Sequence, residues 1–302
     1  MASRQDHARQ AKLEKRQELE KRGVVVHPYA YAPTHRIAQV IPLDPKQTSD
    51  TITIAGRLQT TRPHGKVTFA TLKDETGELQ LLFKAEELQE RYDLLRFIDP
   101  GDHLGATGTL TTTKTGQLTL AVQSFEILSK ALRPIPNAWQ TLDDHDVRYR
   151  KRYLDMLINP EVKSILDARW TIIKEIRRFL QDTYDFTEVE TPVLQPLYGG
   201  TNARPFTTHM NALDCDFYLR IAPELYLKRL IVGGYERIFE IARNFRNEGI
   251  DLTHQPEFTM IEWYESYADY QRMMDVAEGL FKHLATKVHG STTLKMHDHE
   301  ID

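Results

Sequence analysis

Between residues 51 and 129 apolar and polar side chains alternate, which is the period of a half-buried strand. The alternation is clear in Thr51-Ile52-Thr53-Ile54-Ala55 and in Val67-Thr68-Phe69-Ala70-Thr71-Leu72. The turn Asp74-Glu75-Thr76-Gly77 leads into a third run, Leu79-Gln80-Leu81-Leu82-Phe83, and a short helical patch follows at 85–97. Two more strands, near 104–112 and 117–128, flank a turn at Thr113–Gly116. Five strands with a helix after the third predict a small closed Greek-key barrel of the OB type. Barrels of that kind hold single-stranded nucleic acid on their sheet face.

The pattern changes on either side of this region. Residues 4–22 have few apolar positions and strong helix formers, with Glu18 and Arg22 at i,i+4 and Gly23 as a C-cap. Seven basic and four acidic residues give the segment a local charge of +3. It reads either as a solvated helix or as a basic arm that touches RNA backbone. Pro134, Pro136 and the polar run after them mark a linker over 130–147. Beyond it the apolar positions 166, 170, 173, 176 and 180 share one helix face, predicting a helix over 161–183. Phe186–Pro192 reads as a strand closed by proline, and Pro223 and Gly233 bracket a second helix. The segment 237–246 fits a helix face as well as a strand, whereas 257–264 alternates. If both are antiparallel strands, Glu240, Arg246, Phe258, Met260, Glu262 and Tyr264 share a face, and the loop 247–256 carries Glu248 and His254.

Composition narrows the function classes. The 302 residues are enough for about two domains. Net charge is −4, from 39 basic and 43 acidic residues, so nucleic-acid contact must come from local patches. The single cysteine, Cys215, excludes an internal disulfide and an all-cysteine metal site, and reads as a core or sheet residue. No apolar run reaches the length of a membrane span, and the N-terminus lacks a signal-peptide core. A cytoplasmic protein with no membrane partner is expected.

Residues 237–264, RIFEIARNFRNEGIDLTHQPEFTMIEWY, hold the densest chemistry. Taken alone, Arg246 and Glu248 read as a surface ion pair, Phe258 and Tyr264 as core aromatics, and Glu224 as a carboxylate favoured by a helix N-terminus. His254 reads as a solvated loop residue and Phe69 as barrel core. The chain, however, resembles the bacterial-type class II (subclass b) lysyl-tRNA synthetases. RNFRNEG followed by HQPEFTMIEWYESYADY is similar to that family's second signature motif. DVRYRKRYLDML, EVETPVLQPLYGGTNARPF and APELYLKRLIVGG resemble its other runs, in the right order.

The resemblance implies an α+β fold: an OB-fold barrel, then a class II antiparallel sheet flanked by helices. It also implies that 237–264 is two antiparallel strands joined by a loop. The boundaries expected are an N-terminal helical arm and lead-in over 1–50, an anticodon-binding barrel over 51–130, a linker over 131–147 and a catalytic domain over 148–302. The implied function is ATP-driven ligation of lysine to tRNA(Lys) through a lysyl-adenylate. Arg246 is then catalytic, contacting the ATP α-phosphate and the lysine carboxylate. Glu248 and His254 lie near the adenine and the outer phosphates, and Phe258 stacks on the adenine. Glu224 and the backbone of Gly200 hold the lysine α-amino group, Tyr264 reaches the ε-amino end, and Glu262 lines the pocket. Phe69 and Gln80 sandwich an anticodon uridine, with Arg62 beside them. The region 161–192 resembles the first signature motif, which forms a homodimer interface.

Arginine suits the reacting phosphate because its planar fork bridges carboxylate and phosphate while staying charged. The lysine carboxylate is already ionised near neutral pH, so no general base is needed. Two departures stand out. Gln255 replaces the family's asparagine after His254. The third signature motif, with the carboxylates that bind Mg²⁺ and the acidic residue that pairs with the lysine side chain, is absent from the 302 residues, so no metal ligand is expected within them and the segment is expected to be catalytically incomplete. The alternatives are a non-catalytic tRNA-binding paralog and an aspartyl- or asparaginyl-type synthetase of the same subclass. Stand-alone lysine ligases that modify a translation factor lack a barrel, and residues 51–129 argue against them.

Overall fold

The computed structural model describes residues 4–47, 50–135 and 144–301. They form two compact units, one up to Asn159 and one from Pro160 on. The segment 136–143, within the stretch read as a linker, lies outside the described residues.

The first unit opens with α1 (Arg4–Lys21) and the short α2 (Ile37–Val40). Strands β1 (Ile52–His64), β2 (Val67–Lys73) and β3 (Glu78–Lys84) follow, then α3 (Ala85–Leu88) running into a 3₁₀ segment, Gln89–Phe97. Strands β4 (His103–Thr112) and β5 (Leu118–Ser129) complete a closed barrel of order β1-β2-β3-β5-β4. Every pairing is antiparallel except β3 with β5, where Gln80 sits opposite Thr119. Ile52, Ile54, Ala70, Leu72, Leu81 and Phe83 are fully buried, as the alternation predicts. Two short helices, α4 (His145–Arg150) and α5 (Arg152–Ile158), end the unit. They are joined by the fully buried Asp155 carboxylate, which accepts from Arg148 at 2.9 Å and Arg152 at 2.5 Å.

β1 is far longer than the apolar alternation at 51–55 suggests. Its first half pairs with β4 and its polar second half, Arg57–His64, pairs with β2. Polar residues there face outward, so no alternation signals the extension. Gly56 permits the crossing: a Cβ at this position would stand 2.5 Å from the Lys73 carbonyl oxygen.

Helix α1 is not a merely solvated helix. Leu19 is fully buried against the barrel. Lys15 Nζ donates to Asp99 Oδ1 at 2.6 Å, and Lys12 Nζ lies 3.9 Å from Asp99 Oδ2. Lys130, at the end of β5, is buried and donates to Asp99 Oδ2 at 3.0 Å, Asp102 Oδ2 at 2.5 Å and the Phe97 carbonyl at 2.7 Å. The basic residues Lys12 and Lys15 thus serve the barrel, because their long stems cover it while their charges meet Asp99.

The second unit begins with α6 (Pro160–Arg178), which ends in a π-type turn over Phe179–Thr183. Strands β6 (Thr187–Glu188), β7 (Leu194–Gln195), β8 (Thr207–Met210) and β9 (Cys215–Leu219) precede α7 (Glu224–Val232). Then come β10 (Arg237–Phe245), β11 (Glu257–Glu265), α8 (Tyr270–His289) and a terminal hairpin, β12 (Leu294–Met296) with β13 (His299–Ile301). The sheets are β11-β10-β6 and β7-β9-β8. The strand expected over 186–192 shrinks to β6, which pairs in parallel with β10 at only two positions before the chain turns away. Cys215 does lie in a strand but is exposed, not core. On the expected helix face Leu180 is buried, whereas Trp170 is 56% exposed.

One face of β10-β11 carries Phe239, Ile241, Ile261 and Trp263 and packs on Phe179, Leu180, Val276 and Leu280 from the α6 end and α8. Burying it turns Ile238, Glu240, Ala242 and Asn244 of β10 to the opposite face.

Removing the Lys130 charge leaves the fully buried Asp102 carboxylate without its ion-pair partner and takes one of three lysines from the partly buried Asp99. Lys130→Met is expected to cost about 3–5 kcal/mol in urea unfolding followed by barrel signals. Burial alone would raise the Asp99 carboxyl, but hydrogen bonds from Lys15 and Lys130 and the nearby charges hold it below the ordinary range. Its contribution is therefore present above about pH 4 and lost as the pH falls through its lowered folded value. In Lys130→Met this acid-dependent part of stability should shrink; an unchanged acid profile would count against the pairing.

Candidate active site and nucleic-acid interface

Strands β10 and β11 pair antiparallel without a register shift. Ile238 lies opposite Tyr264, Glu240 opposite Glu262, Ala242 opposite Met260 and Asn244 opposite Phe258. Both segments are strands, so the helical alternative for 237–246 is excluded. Because side chains alternate, these eight residues share the face away from α6 and α8.

At one end of the platform lies Arg246. Its backbone N–H donates to the Pro256 carbonyl at 2.9 Å, closing the loop 247–256. Its guanidinium stands 5.0 Å from the Phe258 ring centroid, and its buried Nε has no hydrogen-bond partner. The surface ion pair with Glu248 does not form: Glu248 Oε1 instead accepts from the Arg204 backbone N–H at 3.1 Å. A guanidinium placed over an aromatic ring, with its Nε unpartnered, is suited to an anion. His254 sits in the loop beside Asp251 and is well exposed. Gln255, the unusual residue, donates to the Asp251 carbonyl at 3.1 Å.

At the other end carboxylates gather. The Tyr264 hydroxyl donates to Glu262 Oε2 at 3.2 Å. Burial raises the Glu262 carboxyl, and the negative charges of Glu224 and Glu240 raise it further against the Tyr264 hydrogen bond. Burial, with Glu262 and Glu224 nearby, also pushes the Tyr264 phenol well above the ordinary tyrosine range. Glu224, the first residue of α7, is paired with Lys228 one turn on. Gly200, at φ +88°, lies directly against it: a Cβ there would stand 2.7 Å from Glu224 Cβ. The sequence-identified Gly200, Glu224, Glu262 and Tyr264 thus come together.

Glu240 is neutralised from beneath. Arg220 Nη1 donates to its Oε1 at 2.6 Å and the Thr191 hydroxyl to its Oε2 at 2.7 Å. Sequence reasoning missed Arg220 and Thr191, because nothing local marks a cation that pairs 20 residues away. It also missed Asn244, fully buried with both amide atoms unpartnered. Asp251 had a readable signal: Asp-Leu-Thr-His is an Asx-turn pattern.

In the barrel, the buried face of β2 carries Thr68, Ala70 and Leu72, so Phe69 points outward and is not core. Arg62 lies across from Phe69 on β1, and Leu82 across from it on β3. Arg62, Phe69 and Gln80 line one cleft of about 580 Å³, rimmed by Thr111–Thr115. Gln80 is held by the Thr119 hydroxyl, which donates to its Oε1 at 2.9 Å. All three sequence-identified residues therefore meet in one place.

Comparison with known proteins also divides the chain in two, but the second match takes in α4 and α5, ahead of the unit boundary at Pro160. Residues 52–128 match the OB-fold nucleic acid binding domain, and residues 144–301 match the tRNA synthetases class II (D, K and N). The lysine--tRNA ligase of Methanoculleus marisnigri is 46% identical over 298 residues, 97% of this chain and 58% of that protein. That of Carboxydothermus hydrogenoformans is 48% identical over 281 residues, covering 93% and 57%. That of Clostridium tetani is 50% identical over 252 residues, covering 83% and 50%. The chain thus spans 50–58% of the length of these curated relatives. With an OB-fold domain ahead of a matched region that fills more than half of its length, the chain belongs to the class II tRNA synthetases of the D, K and N group.

Proposed function

We propose that this protein serves the ATP-dependent ligation of lysine to tRNA(Lys). The lysine carboxylate attacks the α-phosphorus of ATP and pyrophosphate leaves. The lysyl group of the adenylate then passes to a terminal ribose hydroxyl of the tRNA, releasing AMP. The observation that carries this reading is the carboxylate-rich end of the β10-β11 platform. Glu240 and Glu224 have the cationic partners Arg220 and Lys228, whereas Glu262 has only a phenol hydroxyl. That balance leaves one negative charge for a cationic amino acid. An aspartate substrate would add an anion to the cluster, which disfavours the aspartyl reading.

Arg246 is assigned to the α-phosphate and the lysine carboxylate, since its fork is held by Phe258 and its Nε is unsatisfied. Phe258 offers its remaining face to the adenine. Glu248 and His254 flank the adenine and outer phosphates, Gly200 and Glu224 take the α-ammonium, Tyr264 reaches the ε-amino end, and Glu262 lines the pocket. Among the described residues no group of three or more His, Cys, Asp or Glu side chains could hold a metal ion, so none is assigned to Mg²⁺. In the barrel cleft, a uridine between Phe69 and Gln80 with Arg62 alongside fits a single-stranded anticodon. A second copy is the proposed partner of α6, whose Ile165 and Trp170 are 67% and 56% exposed beside an apolar groove.

In calorimetry, lysine should bind well ahead of aspartate or asparagine; equal affinity would sink the lysine reading. Arg246→Ala in the active protein should slow lysine-dependent pyrophosphate exchange by at least roughly a hundredfold, and near-normal exchange would exclude the assigned role. Phe69→Ala should weaken binding of an anticodon stem-loop by about 1–3 kcal/mol without changing lysine affinity. Trp170→Glu should shift the protein toward monomer in sedimentation, and an unchanged sedimentation profile would remove α6 from the interface.

A further inference from the structure

The loop between β10 and β11 is built on Asp251. Its Oδ1 accepts from the backbone N–H groups of Thr253 and His254, each at 2.7 Å. Its Oδ1 and Oδ2 also lie 2.9 and 2.8 Å from His254 Nδ1. A carboxylate only accepts, so contact on both oxygens requires a proton on Nδ1. The Thr253 hydroxyl, 3.1 Å from the same nitrogen, donates to Asp251 Oδ1 at 3.0 Å and does not compete. The Thr253 backbone N–H, followed by the His254 side chain, holds the Asp251 carboxyl down to about 2. Asp251 is therefore an anion throughout the neutral range.

The consequence falls on Nε2. A neutral imidazole with its proton on Nδ1 presents a lone pair at Nε2, and phosphate oxygens are acceptors too. The two repel until a second proton makes Nε2 a donor. Other charged groups at this end of the platform have partners elsewhere: Arg246 on the Phe258 ring, Glu248 on the Arg204 N–H, Glu257 3.6 Å from Arg243. Among the described residues, Asp251 is the charged group in contact with the ring.

We propose that Asp251 is a positioning residue for His254. It pins the ring proton on Nδ1 and turns Nε2 outward, so the terminal phosphates of ATP are met only by the doubly protonated ring. ATP binding then takes up one proton from solvent at Nε2. The inference rests on reading His254 as a contact to the outer phosphates.

Calorimetry of ATP binding in buffers of different ionisation heat tests it. The wild-type chain should take up protons, and its ATP affinity should fall as the pH rises, by at most tenfold per unit. Asp251→Asn keeps an acceptor for the turn but frees the ring to carry its single proton on Nε2. It should lose at least half of the uptake and flatten the pH profile. The nucleotide's own titration is common to both proteins and cancels, and AMP should show no difference between them. Nitrogen-15 spectra of the free chain should show the His254 proton on Nδ1 in wild type. Equal uptake in wild type and Asp251→Asn, or a free wild-type ring protonated on Nε2, overturns the positioning role. If His254→Gln changes neither ATP affinity nor uptake, the phosphate reading of His254 falls instead. Absence of measurable ATP binding overturns both.

Discussion

A one-residue slip between β10 and β11 would turn every platform side chain to the opposite face. The observed register prevents this by burying Phe239, Ile241, Ile261 and Trp263 against α6 and α8. That apolar layer determines which side chains share the opposite face, and so brings Glu240 beside Glu262 and Asn244 beside Phe258. Arg246 is reached only at the end of this ladder, where its N–H to the Pro256 carbonyl ties off the loop. The proposed chemistry depends on hydrophobic packing on the far side of the sheet.

Placing acids together in a half-buried pocket is costly unless charge is compensated. The fold handles its three glutamates differently. Glu240 is buried with Arg220 and Thr191 around it, which fixes the floor. Glu224 stays near the surface with Lys228. Glu262 has the Tyr264 hydroxyl as its hydrogen-bond partner, and burial, with Glu224 and Glu240 nearby, raises its carboxyl. The proposed preference for a cationic amino acid rests on that uneven compensation. At the opposite end the deficit is of anions, with Arg246 stacked on Phe258 and its Nε unsatisfied.

The barrel applies the same economy to a different task. Lys130 under the barrel joins the end of β5 to Asp99 and Asp102, and through Asp99 to Lys12 and Lys15 of α1. Charges that look available for RNA in the sequence are thereby spent on docking the helix. The cleft proposed for a nucleobase includes Phe69, which faces away from the core. An aromatic ring left outside a well-packed barrel is itself a sign of a stacking surface.

The strands of the barrel and the helices around 160–178 and 224–232 were legible in the sequence, because each depends on local periodicity or turn chemistry, whereas the candidate site residues were named only through the resemblance. The resemblance decided the strand character of 237–246, which periodicity left open. What the sequence did not reveal were pairings over long separations: Arg220 with Glu240, Lys130 with Asp99, the short parallel contact of β6. Polar strand halves such as Arg57–His64 were also invisible, since outward-facing residues carry no alternation. The chain itself determined which chemical groups are present and roughly where each strand lies. Only the tertiary structure decided which charges neutralise one another and which stay free for a ligand, because that balance depends on distance and burial rather than on order along the chain.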